Sequence, residues 1–335
     1  MPNQSTRHII MMEPSAFCSN VETMATNTYQ ADNPTDRQRL QEQAVIEFRA
    51  LRDTLVGHGV FVTTLKGTTA SPDDLFCNNW ISTHEGRVAV LYPMLAPNRR
   101  LERRPELLEW FGARYRVALD LSAEERVGKF LESTGSLALD RVNKRAYSAL
   151  SSRTDQELAE RWADVMGYEV IFFNTRNHVG KPVYHTDVVM YIGTSLVGIC
   201  ADCIIPEDVD RVLGKIRETH QVLLLSMDQL RSFCGNALEV RGNAVGADSS
   251  QGNVTRARLG MATAASSAAG GMDQDGPKSP EARYLAMSAG AYGALLPDQK
   301  DMIAAHFPGG VITAPIPTIE KYGGGSVRCM LLEGW

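Results

Sequence analysis

The chain has little that would mark a secreted, membrane or nucleic-acid-binding protein. Cysteine is scarce: six in 335 residues, at positions 18, 77, 200, 203, 234 and 329, without regular spacing. Such usage excludes a small disulfide framework. No apolar run approaches the length of a membrane-spanning helix. No basic excess exists, since the net charge is −5, and this removes the electrostatic case for a nucleic-acid or anionic-membrane partner. No G-x-G-x-x-G or P-loop follows a strand-like stretch, so nucleotide binding finds no support. The stretch Met1–His8 does not read as a signal peptide, and a cytoplasmic protein is expected. The rest is ordinary for a globular chain: 44% hydrophobic and 22% charged, enough to bury a substantial core.

Periodicity supplies the elements. His8–Met12 reads as a strand. Residues 35–57 place Leu40, Ala44, Val45, Phe48, Leu51, Leu55 and Val56 at helical spacing, and Gly57 and Gly59 stop the helix. Val60–Thr64 resumes as a strand. Asn79–His84 and Arg87–Tyr92 form a hairpin around Glu85-Gly86, followed by a helix at about 100–114 and a strand at Arg116–Leu121. Leu137–Asp140 and Arg145–Ala149 read as paired strands; Thr154 caps a helix at about 155–166; Glu169–Phe173 is a strand. Val188–Ile192 and Leu196–Cys200 form another hairpin, then a helix at about 206–218 and strand Gln221–Leu225. Strand pair, helix, strand recurs, which predicts α/β modules around a centre. Residues 242–280 break the pattern with Gly, Ala, Ser and Asp, and read as a low-complexity surface insertion in a single domain spanning 1–335. Ala282–Leu296 and Pro297–Ala305 read as helical, Val311–Ala314 and the Cys329 segment as strands.

Three elements carry chemistry. Cys329 sits beside Arg328, just after Gly323-Gly324-Gly325. Glycines allow close backbone approach, and a neighbouring cation can favour thiolate. Alone, Cys329 reads equally as a small buried residue. His185 and Asp187 form an H-x-D, whose side chains share one side of an extended chain. Histidine is the natural proton carrier near neutral pH. Glu132 enters a glycine turn at Gly135. Cys200 and Cys203 have C-x-x-C spacing, but no further metal ligands lie nearby and Pro206 delays the helix a redox motif would open. Arg99, Arg100, Arg103 and Arg104 read either as a solvated helix face or as the anion side of a pocket.

These pieces, in this order, resemble the guanidino-group-modifying superfamily of the five-fold pseudosymmetric β/α propeller, or pentein fold. That superfamily includes arginine deiminase, dimethylarginine dimethylaminohydrolase and the amidinotransferases. The arginine-deiminase-related, amidinotransferase-like branch with citrulline hydrolases is the most similar. The resemblance rests on Pro14–Phe17 with Asn20; Pro72-Asp73-Asp74-Leu75-Phe76-Cys77-Asn78-Asn79-Trp80; Pro97–Arg100; Leu131–Ser136; Leu150–Thr154; Pro182–Asp187; Cys234–Glu239; and Gly323–Met330. It covers nearly the whole chain outside 242–280.

The resemblance implies a covalent thiol mechanism with neither metal nor organic cofactor, acting on a small amino-acid substrate. Cys329 would be the nucleophile, His185 the proton carrier and Glu132 the glutamate of the family's E-G-G-D-like turn. Asn78, Asn79 and Asp187 would bind the reacting group, and Arg153 the substrate's α-carboxylate. Deiminases carry an acid where this chain has Asn79, which suits a neutral ureido group. Asp187 keeps a negative group facing the substrate and argues for a cation, so substrates like arginine and like citrulline both stand. Ser133 replaces the usual glycine, with little functional consequence expected. The rivals are transfer of an amidino group to an amine and a non-catalytic member of the fold, such as a ribosome anti-association factor. The presence of both Cys329 and His185 weighs against the latter. The sequence leaves a homo-oligomer open.

Overall fold

A computed structural model describes residues 3–32, 36–244 and 281–335. From residue 245 onward the low-complexity segment lies outside the described residues, while Gly242 and Asn243 complete a strand before it.

The described residues repeat one unit five times. Strand β1 (His8–Glu13) runs into helix Arg37–Gly57 and returns as parallel β2 (Phe61–Lys66). The second blade holds β3 (Ile81–His84), β4 (Val88–Leu91) and β5 (Arg116–Asp120), with helix Pro105–Gly112 crossing between the last two. The third holds β6 (Ala138–Asp140), β7 (Arg145–Ala149) and β8 (Glu169–Phe173), crossed by helix Gln156–Met166. The fourth holds β9 (Met190–Ile192), β10 (Leu196–Ile199) and β11 (Gln221–Leu224), crossed by helix Pro206–Arg217. The fifth holds β12 (Leu238–Asn243), β13 (Glu281–Ser288) and β14 (Gly310–Ala314), crossed by helix Pro297–His306. Strand β15 (Leu332–Gly334) then pairs antiparallel with β1 and completes the first blade. In every sheet the middle strand is antiparallel to one neighbour and parallel to the other. Parallel pairing demands a long crossover, and a helix supplies it each time. The result is the expected β/α propeller.

Apolar side chains fill the space between sheets and crossover helices. Leu40, Ala44, Phe48, Leu51 and Leu55 form one stripe of the first helix and bury against Ile9 and Met11 on one side and Ile312 and Ala314 on the other. One helix thus seals the joint between the first and fifth blades. Trp162 and Leu158 do the same work beside Val90 and Tyr92. Burying each such side chain contributes roughly 1.5–3 kcal/mol. Among the described residues no helix is long and apolar enough to cross a membrane.

Four local expectations need correction. Asp155, not Thr154, caps the helix at Gln156: its carboxylate accepts the Leu158 N–H at 3.0 Å, the reach of an N-cap side chain. The charged segment at 100–114 divides, because Pro105 starts a new helix after the short turn Pro97–Arg100. Ala282–Ser288 is strand β13, not helix. It sits between β12 and β14, and two ladders of hydrogen bonds override the helix propensity of its Ala, Arg, Leu and Met residues. Lastly, Cys329 lies in a helical turn, Val327–Met330, just before β15.

Candidate active site

The innermost strand of every blade, β3, β6, β9, β12 and β15, is preceded by a short turn near the propeller axis. These turns are Cys77–Asn79, Ser133–Ser136, Thr186–Val189, the bend through Phe233–Ala237, and Val327–Met330. Polar residues far apart in sequence therefore converge: Asn78 and Asn79 from the first, Glu132 at the head of the second, His185 and Asp187 from the third, Cys329 from the last. The H-x-D is not extended throughout. His185 is extended at φ −137°, but Asp187 has entered the helical turn.

Cys329 and His185 line one small cavity together with Asn79, Arg99, Arg153 and Tyr184. Its free space is about 10 Å³, about enough for one water. Glu132 is fully buried behind His185 and accepts from its Nε2 at 2.7 Å. Burial alone would push the Glu132 carboxyl up. Arg153, the hydrogen bond and charge of His185, and Arg99 outweigh it and hold the group well below the ordinary carboxylate range. An ionised carboxylate only accepts, so Nε2 carries the proton, and no described residue pairs with Nδ1.

Asp187 Oδ2 accepts from Asn78 Nδ2 at 3.2 Å and from the Cys329 thiol at 3.5 Å, while Oδ1 has no partner among the described residues. Burial raises the Asp187 carboxyl, partly offset by His185 and Arg328. Asn79 donates from Nδ2 to Asn78 Oδ1 at 3.0 Å, and its own Oδ1 accepts from Arg99 Nη1 at 2.8 Å. Arg99 is held in turn by Glu102 at 2.7 Å. Of the arginine cluster, Arg99 is thus the pocket member; Arg100 and Arg103 pair with Glu125 instead. Arg153 Nη2 donates to Thr26 Oγ1 at 2.8 Å, and the guanidinium lies 4.9 Å from the Tyr184 ring centroid.

One electrostatic expectation fails. Arg328 does not face the thiol; its guanidinium turns to the Leu331 carbonyl at 2.7 Å and to Glu333 at 3.2 Å. Burial, then Asp187, push the Cys329 thiol far up, which favours the neutral thiol. The glycines before it serve close packing. A Cβ on Gly323 would stand 2.6 Å from the Phe76 ring, and Gly324 has φ +63°. Ser133 adopts φ +48°, the left-handed region that favours glycine. Cys200 and Cys203 are buried thiols, the latter donating to the Cys200 carbonyl at 3.1 Å.

Gly135 explains the glycine of the second turn. A Cβ there would lie 2.6 Å from Asn79 Nδ2 and 2.8 Å from His185 Nδ1. Gly135→Ala should therefore displace both side chains and lower kcat/KM about 100-fold, the scale of a misplacement near 1 Å. Steady-state kinetics beside a thermal melt would check this; unchanged kinetics would show that the imidazole tolerates the shift.

The fold and the converging thiol, imidazole and carboxylate define a pentein-type protein. The family model for N,N dimethylarginine dimethylhydrolase, eukaryotic, matches residues 13–253 and 275–334, and the chain belongs to this family of hydrolases. Solved structures show the same fold at low identity. Apo ArgZ, an arginine dihydrolase from the ornithine-ammonia cycle in cyanobacteria, superposes with a TM-score of 0.68 at 15% identity, covering 97% of this chain and 40% of that one. This chain thus spans less than half of full-length ArgZ. The N-terminal domain of ArgZ bound to substrate gives 0.67 at 15% identity, with 97% of each chain covered. A dimethylarginine dimethylaminohydrolase captured as an adduct with S-methyl-L-thiocitrulline gives 0.54 at 16% identity, with 100% of each covered. No curated protein matches the chain in sequence.

Proposed function

We propose that this enzyme, a hydrolase of non-peptide C–N bonds, uses Cys329 to attack the central carbon of the ureido or guanidino group of a small arginine-related amino acid. The observation that carries the reading is the shared cavity of Cys329 and His185, with ionised Glu132 fixing the imidazole from behind. The Cys329 thiol gives its proton to His185, the resulting thiolate forms a bond to carbon, and the imidazolium passes that proton to the departing nitrogen. The C–N bond breaks and leaves a thiocarbamate or thiouronium on sulfur. His185 then takes a proton from water, hydroxide attacks the same carbon, and the C–S bond breaks to return the thiolate. In this reading residues 1–335 make up a single catalytic domain that carries the whole site.

Two side chains near the sulfur bear on the choice of reacting group. Asn79 has its carbonyl oxygen committed to Arg99, so it offers an N–H beside a fixed positive charge. Asp187 stands beside the nucleophile, with Oδ2 3.5 Å from the Cys329 sulfur, although it lines a neighbouring cavity with Arg328 and Glu333. A ureido group has one acceptor and one donor end, whereas a guanidinium carries only donors. The arrangement supports a ureido substrate over a guanidino one. Incubation with citrulline, arginine and methylated arginines, with products identified by mass, tests this. The expected result is carbamoyl loss from citrulline at a kcat/KM at least about tenfold above arginine, the worth of one mispaired buried polar group. No product from any of them would overturn the hydrolase reading, and an amidino group appearing on an added amine would replace it with transfer.

Arg153 lines the cavity with its guanidinium stacked on Tyr184, placed for a substrate carboxylate. Arg153→Ala should raise KM about 10- to 100-fold with the smaller effect on kcat. An unaltered KM would remove Arg153 from substrate binding.

A further inference from the structure

Four of the five axial turns supply residues already placed in the site. The fifth, before β12, supplies Asn236, whose side chain is fully buried. We propose that Asn236 is a catalytic residue whose amide donates to the Cys329 sulfur and stabilises the thiolate; this rests on the hydrolase reading above.

Three hydrogen bonds fix the amide. Its Oδ1 accepts from the Arg328 backbone N–H at 3.0 Å. Its Nδ2 donates to the Asp187 backbone carbonyl at 2.8 Å and to Cys329 Sγ at 3.2 Å. The oxygen must face a backbone donor, so the nitrogen must face the sulfur, and a flip would lose both backbone contacts. The same side chain ties the turn carrying Asp187 to the turn carrying Cys329. It thereby sets the spacing between nucleophile and carboxylate.

The backbone is bent to bring the amide there. Phe233 has φ +58°, an unusual value for a bulky aromatic residue. A Cβ on Gly235 would sit 2.4 Å from the Val188 carbonyl oxygen and 2.8 Å from the Val189 carbonyl carbon, so only glycine lets the segment approach. Strain and close approach flanking one polar side chain are the signs of a constrained functional position.

The chemistry needs such a donor. Asp187 Oδ2 lies 3.5 Å from Sγ and opposes ionisation. Among the described residues, Asn236 is the side chain that donates to the sulfur. On ionisation the S–H bond breaks, the electron pair stays on sulfur, and the proton passes to His185 during turnover or to solvent during alkylation. The Asn236 N–H then becomes a charge-assisted hydrogen bond and strengthens.

The test is the pH dependence of iodoacetamide alkylation at Cys329 in substrate-free enzyme, read by peptide mass from neutral to alkaline pH, with Cys329→Ser as the blank. For Asn236→Ala alkylation should slow about 10- to 100-fold at each pH. The kcat should fall in parallel, with KM within about threefold. Asn236→Asp keeps the acceptor for Arg328 but turns a second oxygen to the sulfur, and should slow alkylation further. It carries the test alone if the alanine variant fails to fold by circular dichroism. Profiles that superimpose on the wild type would overturn the proposal. Alkylation does not require turnover, so an enzyme inert toward every substrate would sink the hydrolase reading while leaving this measurement intact.

Discussion

Cys329→Ser should abolish turnover, with kcat falling by roughly four to six orders of magnitude, while the fold stays intact. The reason lies in the surroundings of the sulfur. Burial and the flanking Asp187 push the thiol far up and favour its neutral form. A substrate that fills the cavity, with the amide of Asn236, must supply what ionisation requires. A hydroxyl in the same place starts from an intrinsic acidity many units weaker and cannot be brought within reach by the same two contacts. Serine differs by one atom and still accepts from Asn236, so packing around the turn Val327–Met330 is preserved. Wild-type-like product formation by this variant, with an unchanged melting temperature, would rule out covalent catalysis at position 329.

The architecture was largely legible in the sequence, because each blade repeats the same order of periods: two for strands, 3.6 for the crossover helix. The places where local reading failed share a cause. Ala282–Ser288 has no strong strand signal of its own; its identity comes from lying between two partners distant in sequence. The turns holding Asp187 and Cys329 are a few residues long, and apolar neighbours such as Val188 and Met330 mimic strand ends. Among site residues, Cys329, His185 and Glu132 stood out as chemical types, and the structure brings them together. Asn236 did not, since an asparagine beside a cysteine and a glycine has no chemistry until the sulfur 93 positions away is placed against it. A signal did exist: Asn236 occupies the same station before an inner strand as the other site residues do. The orientation of Arg328 away from the thiol was invisible, because adjacency in sequence says nothing about which way two side chains of a helical turn point.

Glu132→Gln should lower kcat about 10³- to 10⁴-fold, the scale set when a carboxylate behind a catalytic imidazole becomes an amide. The carboxylate only accepts, which fixes the His185 proton on Nε2 and leaves Nδ1 unprotonated. An amide can turn its N–H to the ring and enforce the opposite tautomer. It also cannot stabilise the imidazolium that forms when His185 takes a proton. A stability effect accompanies this, since Arg153 loses its carboxylate partner inside the protein. Stripping one partner from a buried ion pair costs about 3 kcal/mol or more. The pH dependence of that cost has a definite sign. Glu132 is depressed in the folded state, so its contribution is fully present above the unfolded carboxyl value of 4.5 and is lost as pH falls through the lower folded value. Unfolding curves of wild type and Glu132→Gln should therefore be well separated at neutral pH and converge on acidification below 4.5. Separation that persists unchanged into acid would mean that the glutamine acts by steric misfit, and a kcat within about tenfold of wild type would show that His185 works without the carboxylate.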